Sequence, residues 1–282
     1  MSLSDLIASR RSIRRFEDRP IPDDVVNDLL DAAASAPSGG NIQPLAVITV
    51  RDPARRARLA EVVGGQPWVA NAPLSLVFCL DYYKVGEWAK EYGVDFQGHD
   101  SLGFFLIAYA DVLCAAQTVV LLAEEKGLGS VYVGTIQSNI AGARELLKTP
   151  ERVLPMMVLS LGYPKHVPSG IPKLTREAIA HDEEYRVPSA DENRAAYEQK
   201  YGRIDDDDDR YFDRAYVEVA EPDAQADTGW VDRARERMDR LNIGSHAEFL
   251  FRLRYPTDVF VRMNRRVADA IRDAGFGFLE KS

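Results

Sequence analysis

Hydrophobic and polar positions in this chain change period several times, and each change predicts an element. Ser4 with Asp5 caps a short first helix that runs into an arginine-rich stretch, Arg10 to Phe16. Pro22 followed by Asp23 and Asp24 starts a second helix, because Pro suits the first helical position and the acids face the positive end of the dipole. Val25, Val26, Leu29, Leu30 and Ala33 then recur at helical spacing until Pro37-Ser38-Gly39-Gly40 ends the run. Residues 45–50 (LAVITV) read as a buried strand, 53–63 as a helix and 74–80 (LSLVFCL) as a second strand. The longest helical pattern covers 101–126 and is apolar over much of its surface (Phe104, Ile107, Val112, Val119 and their neighbours), which predicts a central buried helix stopped by Gly127. The glycine-rich GLGSVYVG follows at 127–134, then a helix over 139–147 and an apolar strand over 156–161. Strands interleaved with helices indicate a three-layer or α+β domain ending near residue 165–185.

The pattern changes beyond that point. Residues 190–227 are polar and charge-dense, with five consecutive aspartates at 205–209. Three further helices are expected: one opened by Asp227 or Thr228 and ending near Leu241, one capped by Ser245 with Glu248 and ended by Pro256, and one from Thr257 to Gly275. The chain therefore divides into a domain at 1–185 and, at 186–282, a charge-rich linker and helical extension packed on that domain or on a partner. The aspartate run reads most simply as a solvated loop.

Composition narrows the classes. The 282 residues are 46% hydrophobic and 28% charged, a soluble globular profile. The formal net charge of −9 argues against a general nucleic-acid binder, whose affinity rests on pairing Lys and Arg with phosphates. Uninterrupted apolar runs such as 45–50 and 119–123 fall well short of the roughly 20 residues that span a bilayer. The opening MSLSDLIASRRSIRRF has no secretory pattern, so no membrane partner and a cytoplasmic location are expected. Cys79 and Cys114 stand in apolar segments without Cys or His at ligand spacing; two buried thiols and no metal site follow. His99, His166, His181 and His246 are isolated and read as structural or exposed.

Three segments carry candidate chemistry. Arg10-Arg11-Ser12-Ile13-Arg14-Arg15-Phe16 offers paired guanidinium donors and a hydroxyl suited to an anion, though a charge run is also what a solvated helix end looks like. Ala36-Pro37-Ser38-Gly39-Gly40-Asn41-Ile42-Gln43-Pro44 combines flexible backbone with two amides, suited to a polar heterocycle or simply to a turn. In GLGSVYVG the glycines stand at 127, 129 and 134, which is not the GxGxxG dinucleotide fingerprint; close approach of a flat ligand or a helix cap running into a strand both explain it.

The order, spacing and context of these segments resemble the FMN-dependent nitroreductase family over about residues 1–185, with Leu161-Gly162-Tyr163-Pro164 and Pro172-Lys173-Leu174 as a fourth match. The resemblance implies an α+β fold: three α/β/α layers, a mixed, mainly antiparallel central sheet and a homodimer with FMN at its interface. It implies that Arg10, Ser12 and Lys173 hold the FMN phosphate, with Arg11 on the ribityl and pyrimidine side. Arg14 falls near the flavin N1 and C2 carbonyl, where a cation favours the reduced flavin anion. Pro37, Ser38, Gly39, Asn41 and Gln43 reach the flavin from the partner subunit, and Tyr132, Val133 and Gly134 lie near the ring with an N–H toward N5. Leu45 stands where the family usually has Trp, and Gly39-Gly40 replace bulkier residues.

The activity so implied is ping-pong transfer of a hydride from NADH or NADPH through FMN to a small aromatic or quinone-type acceptor, with no catalytic side chain required. Reductive dehalogenation or flavin fragmentation on the same scaffold is the alternative; Glu87, Lys90 and Tyr92 are available for it but do not match its spacing. A non-catalytic flavin-binding protein is a third reading.

Overall fold

The structure, a computed structural model, describes residues 2–168, 172–201, 236, 239–243 and 245–279. Four strands form one sheet: β1 (Leu45–Val50), β2 (Leu74–Asp81), β3 (Gly129–Val133) and β4 (Val153–Gly162), in the order β1-β2-β4-β3. All three neighbouring pairs are antiparallel, and the parallel element is an isolated bridge between Ser12 and Ser130. Strands β2 and β4 are central and covered on both faces, which is why their sequences run apolar without alternation. Strand β1 was expected to be buried. It is half-exposed, because it pairs on one side only and Thr49 faces outward.

Side-chain alternation along β2 divides the core. Leu74, Leu76, Phe78 and Leu80 belong to one cluster, Val77 and Cys79 to the other, with a bulge between Phe78 and Cys79. Helices α1 (Leu3–Ser9), α2 (Asp23–Ala34), α3 (Pro53–Val62), α4 (Pro67–Asn71), α5 (Tyr82–Glu91), α6 (Leu102–Glu125) and α7 (Ile140–Leu147) complete the layers. Residues of α2 and α6 fill the first cluster and residues of α3, α4 and α7 the second, giving the α/β/α order expected. Full burial of one Leu or Phe is worth about 1.5–3 kcal/mol, so these two clusters are what hold the sheet between its helices.

Two helix details differ from the sequence reading. The cap of α1 is Ser2, not Ser4: the Asp5 N–H donates to Ser2 Oγ at 3.2 Å and the Ser2 N–H to Asp5 Oδ2 at 3.0 Å. A capping box needs its acid three residues after the cap, and only Ser2 satisfies that. Helix α6 is capped by Ser101 as its position suggests, but it is not buried all round. It presses a stripe of small residues (Ala108, Val112, Ala115, Ala116, Val119, Ala123) into the core, while Leu102, Phe104, Leu106 and Ile107 stay exposed. A helix laid on one sheet face buries one stripe, and Cys114 falls on the outer one; its thiol is exposed, unlike the buried Cys79. Among the described residues α6 alone is long and apolar enough to cross a bilayer by length and composition, its apolar run being interrupted by Asp111.

Contacts group the chain into two compact units, residues 1–168 with 263–282, and residues 169–262. The second contains α8 (Ala190–Tyr201), a helix where a polar linker was expected; its charged, helix-favouring composition and an Arg186–Glu192 ion pair before it account for that. The cap at Ser245 is present, its Oγ accepting from the Glu248 N–H at 3.2 Å, and leads into a π-helical turn, Phe249–Arg254. The opening of the helix expected at Asp227 or Thr228 and the aspartates at 205–209 lie outside the described residues. Helix α9 (Thr257–Arg272) returns the chain to the first unit, where Ala270, Ile271, Ala274 and Phe276 enter the α2/α6 cluster and the Arg152 N–H donates to Ala274 O at 2.6 Å.

Candidate cofactor site

Arg10 caps the C-terminus of α1, and from there the chain bridges β3 at Ser12 and reaches Pro164, just beyond β4, at Phe16. Ser12 bridges Ser130, and the Ile13 N–H donates to Ser130 O at 2.9 Å. Ile13 and Phe16 are buried with Ala72 and Val131, while Arg10, Arg11, Ser12 and Arg14 are half-buried. The glycine at 129 is explained by this docking: a Cβ there would collide with Ile13 and touch Pro164. That feature of GLGSVYVG therefore serves packing between two protein segments.

The four predicted cationic and hydroxyl residues are not equivalent. Arg11 Nη1 donates to Ala8 O and to its neighbour's carbonyl, Arg10 O, both at 2.9 Å, closing the end of α1. The Arg14 guanidinium lies 5.4 Å from the ring centre of Trp68 on α4. The charge of Arg10 acts on Glu124 of α6 and on Tyr132 of β3. Burial pushes the Tyr132 phenol up to about 12 against the opposing effect of Arg10, so it is a neutral hydroxyl at ordinary pH, 3.2 Å from Gln117 Oε1. Burial likewise raises the Glu124 carboxyl, with Arg10 and Arg11 pulling the other way. Gln117 and Glu124 were not singled out in the sequence; polar residues recurring seven apart on an apolar helix were the available signal.

Residues 37–43 form a separate anchorage. Gly40, Asn41 and Gln43 all have positive φ (59°, 55° and 52°). Left-handed backbone disfavours a side chain, and hydrogen bonds hold it: the Gln43 N–H donates to Ser38 Oγ at 3.1 Å and Gln43 Nε2 to Ala34 O at 2.7 Å. The Gly39 N–H donates to Asp111 Oδ1 at 3.0 Å, and a Cβ on Gly39 would strike Ile107. Asp111, missed in the sequence reading, is a lone buried acid in an apolar helix, and that isolation was its signal. Pro37 and Asn41 are exposed, as the far side of such a loop should be.

Val133 is buried, and Gly134 opens a 3₁₀ segment, Gly134–Asn139, at the exposed end of β3. A Cβ on Gly134 would meet only Met157 Cε, at 3.8 Å, so the surface there is open. Lys173 is exposed and belongs to the second unit. No group of three His, Cys, Asp or Glu suited to a metal occurs among the described residues. A polar cleft of about 780 Å³ lies elsewhere in the first unit, lined by Glu87, Lys90, Asp95, His99 and Arg152 among others and by none of the predicted cofactor residues. Glu87 and Lys90 pair with each other there at 3.6 Å.

An antiparallel sheet between two helical layers, with a cationic extended segment docked along β3, defines an α+β protein that presents guanidinium and hydroxyl donors at a sheet edge. The chain belongs to the Nitroreductase family, which it matches over residues 7–163. It is 35% identical over 181 residues, 64% of this chain and 72% of the relative, to an FMN reductase [NAD(P)H] of Bacillus subtilis. It is 34% identical over 182 residues to an oxygen-insensitive NADPH nitroreductase of Salmonella typhimurium, covering 64% of this chain and 74% of that one. The solved structure of the Vibrio harveyi NADPH:FMN oxidoreductase complexed with NAD+ superposes with a TM-score of 0.67 at 28% identity, covering 80% of this chain and 93% of that one.

Proposed function

We propose that this protein is a homodimeric, FMN-dependent oxidoreductase that takes a hydride from NADH or NADPH and reduces a small aromatic or quinone-type acceptor. The flavin and nicotinamide chemistry is that of the relatives, and the residues present fit the cofactor. Arg10, Ser12 and Arg14 project from one extended segment locked to β3, supplying donors matched to phosphate oxygens, and the open end of β3 at Gly134 leaves space for a flat ring. That docked cationic segment is the observation that carries the reading.

FMN, when bound, supplies the hydride acceptance and electron transfer that no side chain of this chain offers. The chain's own residues bind and orient. Arg10 and Ser12 hold the phosphate. Arg14, braced on Trp68, places a positive charge beside the pyrimidine end, and the backbone of 132–134 lines the ring. Ser38, Gly39, Asn41 and Gln43 act across a dimer interface, for which the exposed apolar stripe of α6 is the natural surface. The two free cysteines suit a reducing compartment, and the cytoplasm is the location we propose.

Purified protein is expected to be yellow, to bleach anaerobically with NADH or NADPH, and to recover colour on addition of a nitroaromatic or a quinone. Protein that neither carries nor takes up FMN would falsify this function; a flavoprotein that no nicotinamide reduces would favour a non-catalytic role.

A further inference from the structure

Glu124 occupies an unusual position for an acid. Tyr132 Oη meets Gln117 Oε1 at 3.2 Å, which aligns the middle of α6 with the far end of β3. The chain turns between Lys126 and Leu128, so α6 and β3 run in opposite directions. Seven residues along α6 is about 10 Å, and three residues back along β3 is about the same. Glu124 thus lies beside Gly129 and Ser130, where Ser12 bridges the sheet and Arg10 and Arg11 enter. Its Oε1 is buried without a hydrogen-bond partner among the described residues. Lys126, the cation nearest in sequence, is committed to Asp28 at 2.5 Å. Arg10 and Arg11 therefore supply the positive charge that Glu124 shares with any anion bound at Ser12.

We propose that Glu124 sets how firmly the phosphate end of FMN is held, because its carboxylate lies beside the segment that binds the phosphate and both draw on the guanidinium charges of Arg10 and Arg11. The inference rests on the FMN reading above and adds a positioning residue that weakens retention of the phosphate and so allows the flavin to exchange. Burial opposes the charged form of this carboxyl, and Arg10 and Arg11 favour it.

The test measures flavin release on dilution of the holoprotein, by the fluorescence of freed flavin, after loading with FMN or with riboflavin, which lacks the phosphate. Glu124→Gln keeps the shape and removes the charge; its Kd for FMN is expected to fall about tenfold while that for riboflavin stays unchanged. Glu124→Asp, which keeps the charge, is expected to retain FMN as the wild type does. Equal FMN retention in wild type and Glu124→Gln overturns the proposal. So does equal tightening for both flavins, which assigns Glu124 a packing role. Wild-type protein that binds neither flavin overturns the FMN reading itself and this inference with it, a result distinct from the other two.

Discussion

The Gly39 N–H donates to Asp111 Oδ1 across 3.0 Å, tying a left-handed loop to the middle of an apolar helix 72 positions further along the chain. A buried carboxylate costs several kcal/mol unless it is hydrogen-bonded, so Asp111 is tolerated in α6 through what it holds. Its other oxygen is buried without a partner among the described residues, as is the Tyr82 hydroxyl, whose pKa burial and the Asp111 charge both raise.

Replacing Asp111 with Ala removes the anchor of the loop and is expected to cost about 1–3 kcal/mol. The urea midpoint should fall with little change in slope. An unchanged midpoint would show that the loop is held by its internal bonds alone.

Substituting Gly129 by Ala drives a methyl into Ile13 and against Pro164. Overpacking of this kind costs about 1–3 kcal/mol, and here the strain is relieved by lifting the 10–16 segment from β3. Both stability and FMN retention should therefore fall. Full retention of FMN in Gly129→Ala would separate the cofactor from this segment.

Burial pushes the Cys79 thiol up to about 12 from 9.0, with Asp81 adding to the shift. The folded protein then holds a proton that the unfolded chain releases. This contribution to stability is complete below pH 9 and is lost as pH rises toward 12. Cys79→Val should flatten the decline of the unfolding free energy across that interval, measured by urea titration at stepped pH. In the wild type Cys79 should react with a thiol reagent only after denaturation; rapid labelling of the native protein at Cys79 would contradict its burial.

A charge on the exposed apolar stripe of α6 should oppose self-association. Leu106→Asp, at a position 57% exposed in the single chain, is expected to shift the sedimentation coefficient from dimer toward monomer without lowering the thermal midpoint of the fold by more than a surface change does. A variant that stays dimeric would place the dimer surface elsewhere.

Much of the architecture is legible from local pattern. The apolar runs give β2 and β4 because central strands bury both faces, a shorter run gives the edge strand β1, and Asp23, Ser101 and Gly127 mark helix ends because capping and dipole rules act within a few residues. The order of the three motifs leads to the Nitroreductase family for the same reason: the motif residues lie close together in the chain. The glycine at 129 was legible as a close approach, but its cause was not, since the side chain it admits, Ile13, is more than a hundred residues away.

What the sequence determined by itself is the elements with a strong local pattern (β1, β2, β4, α2, α3, α6 and α7), the net acidic charge with one concentrated patch of arginines, and the residue types available to an anion. Tertiary structure alone decided which of those arginines closes the end of α1 and which is braced on Trp68. It also decided that Cys114 is exposed and Cys79 is not, and that one stripe of α6 remains open. Local pattern reports what a segment prefers; the partner of a charge and the face of a helix that meets the sheet are set by packing between distant segments, which no single stretch of sequence contains.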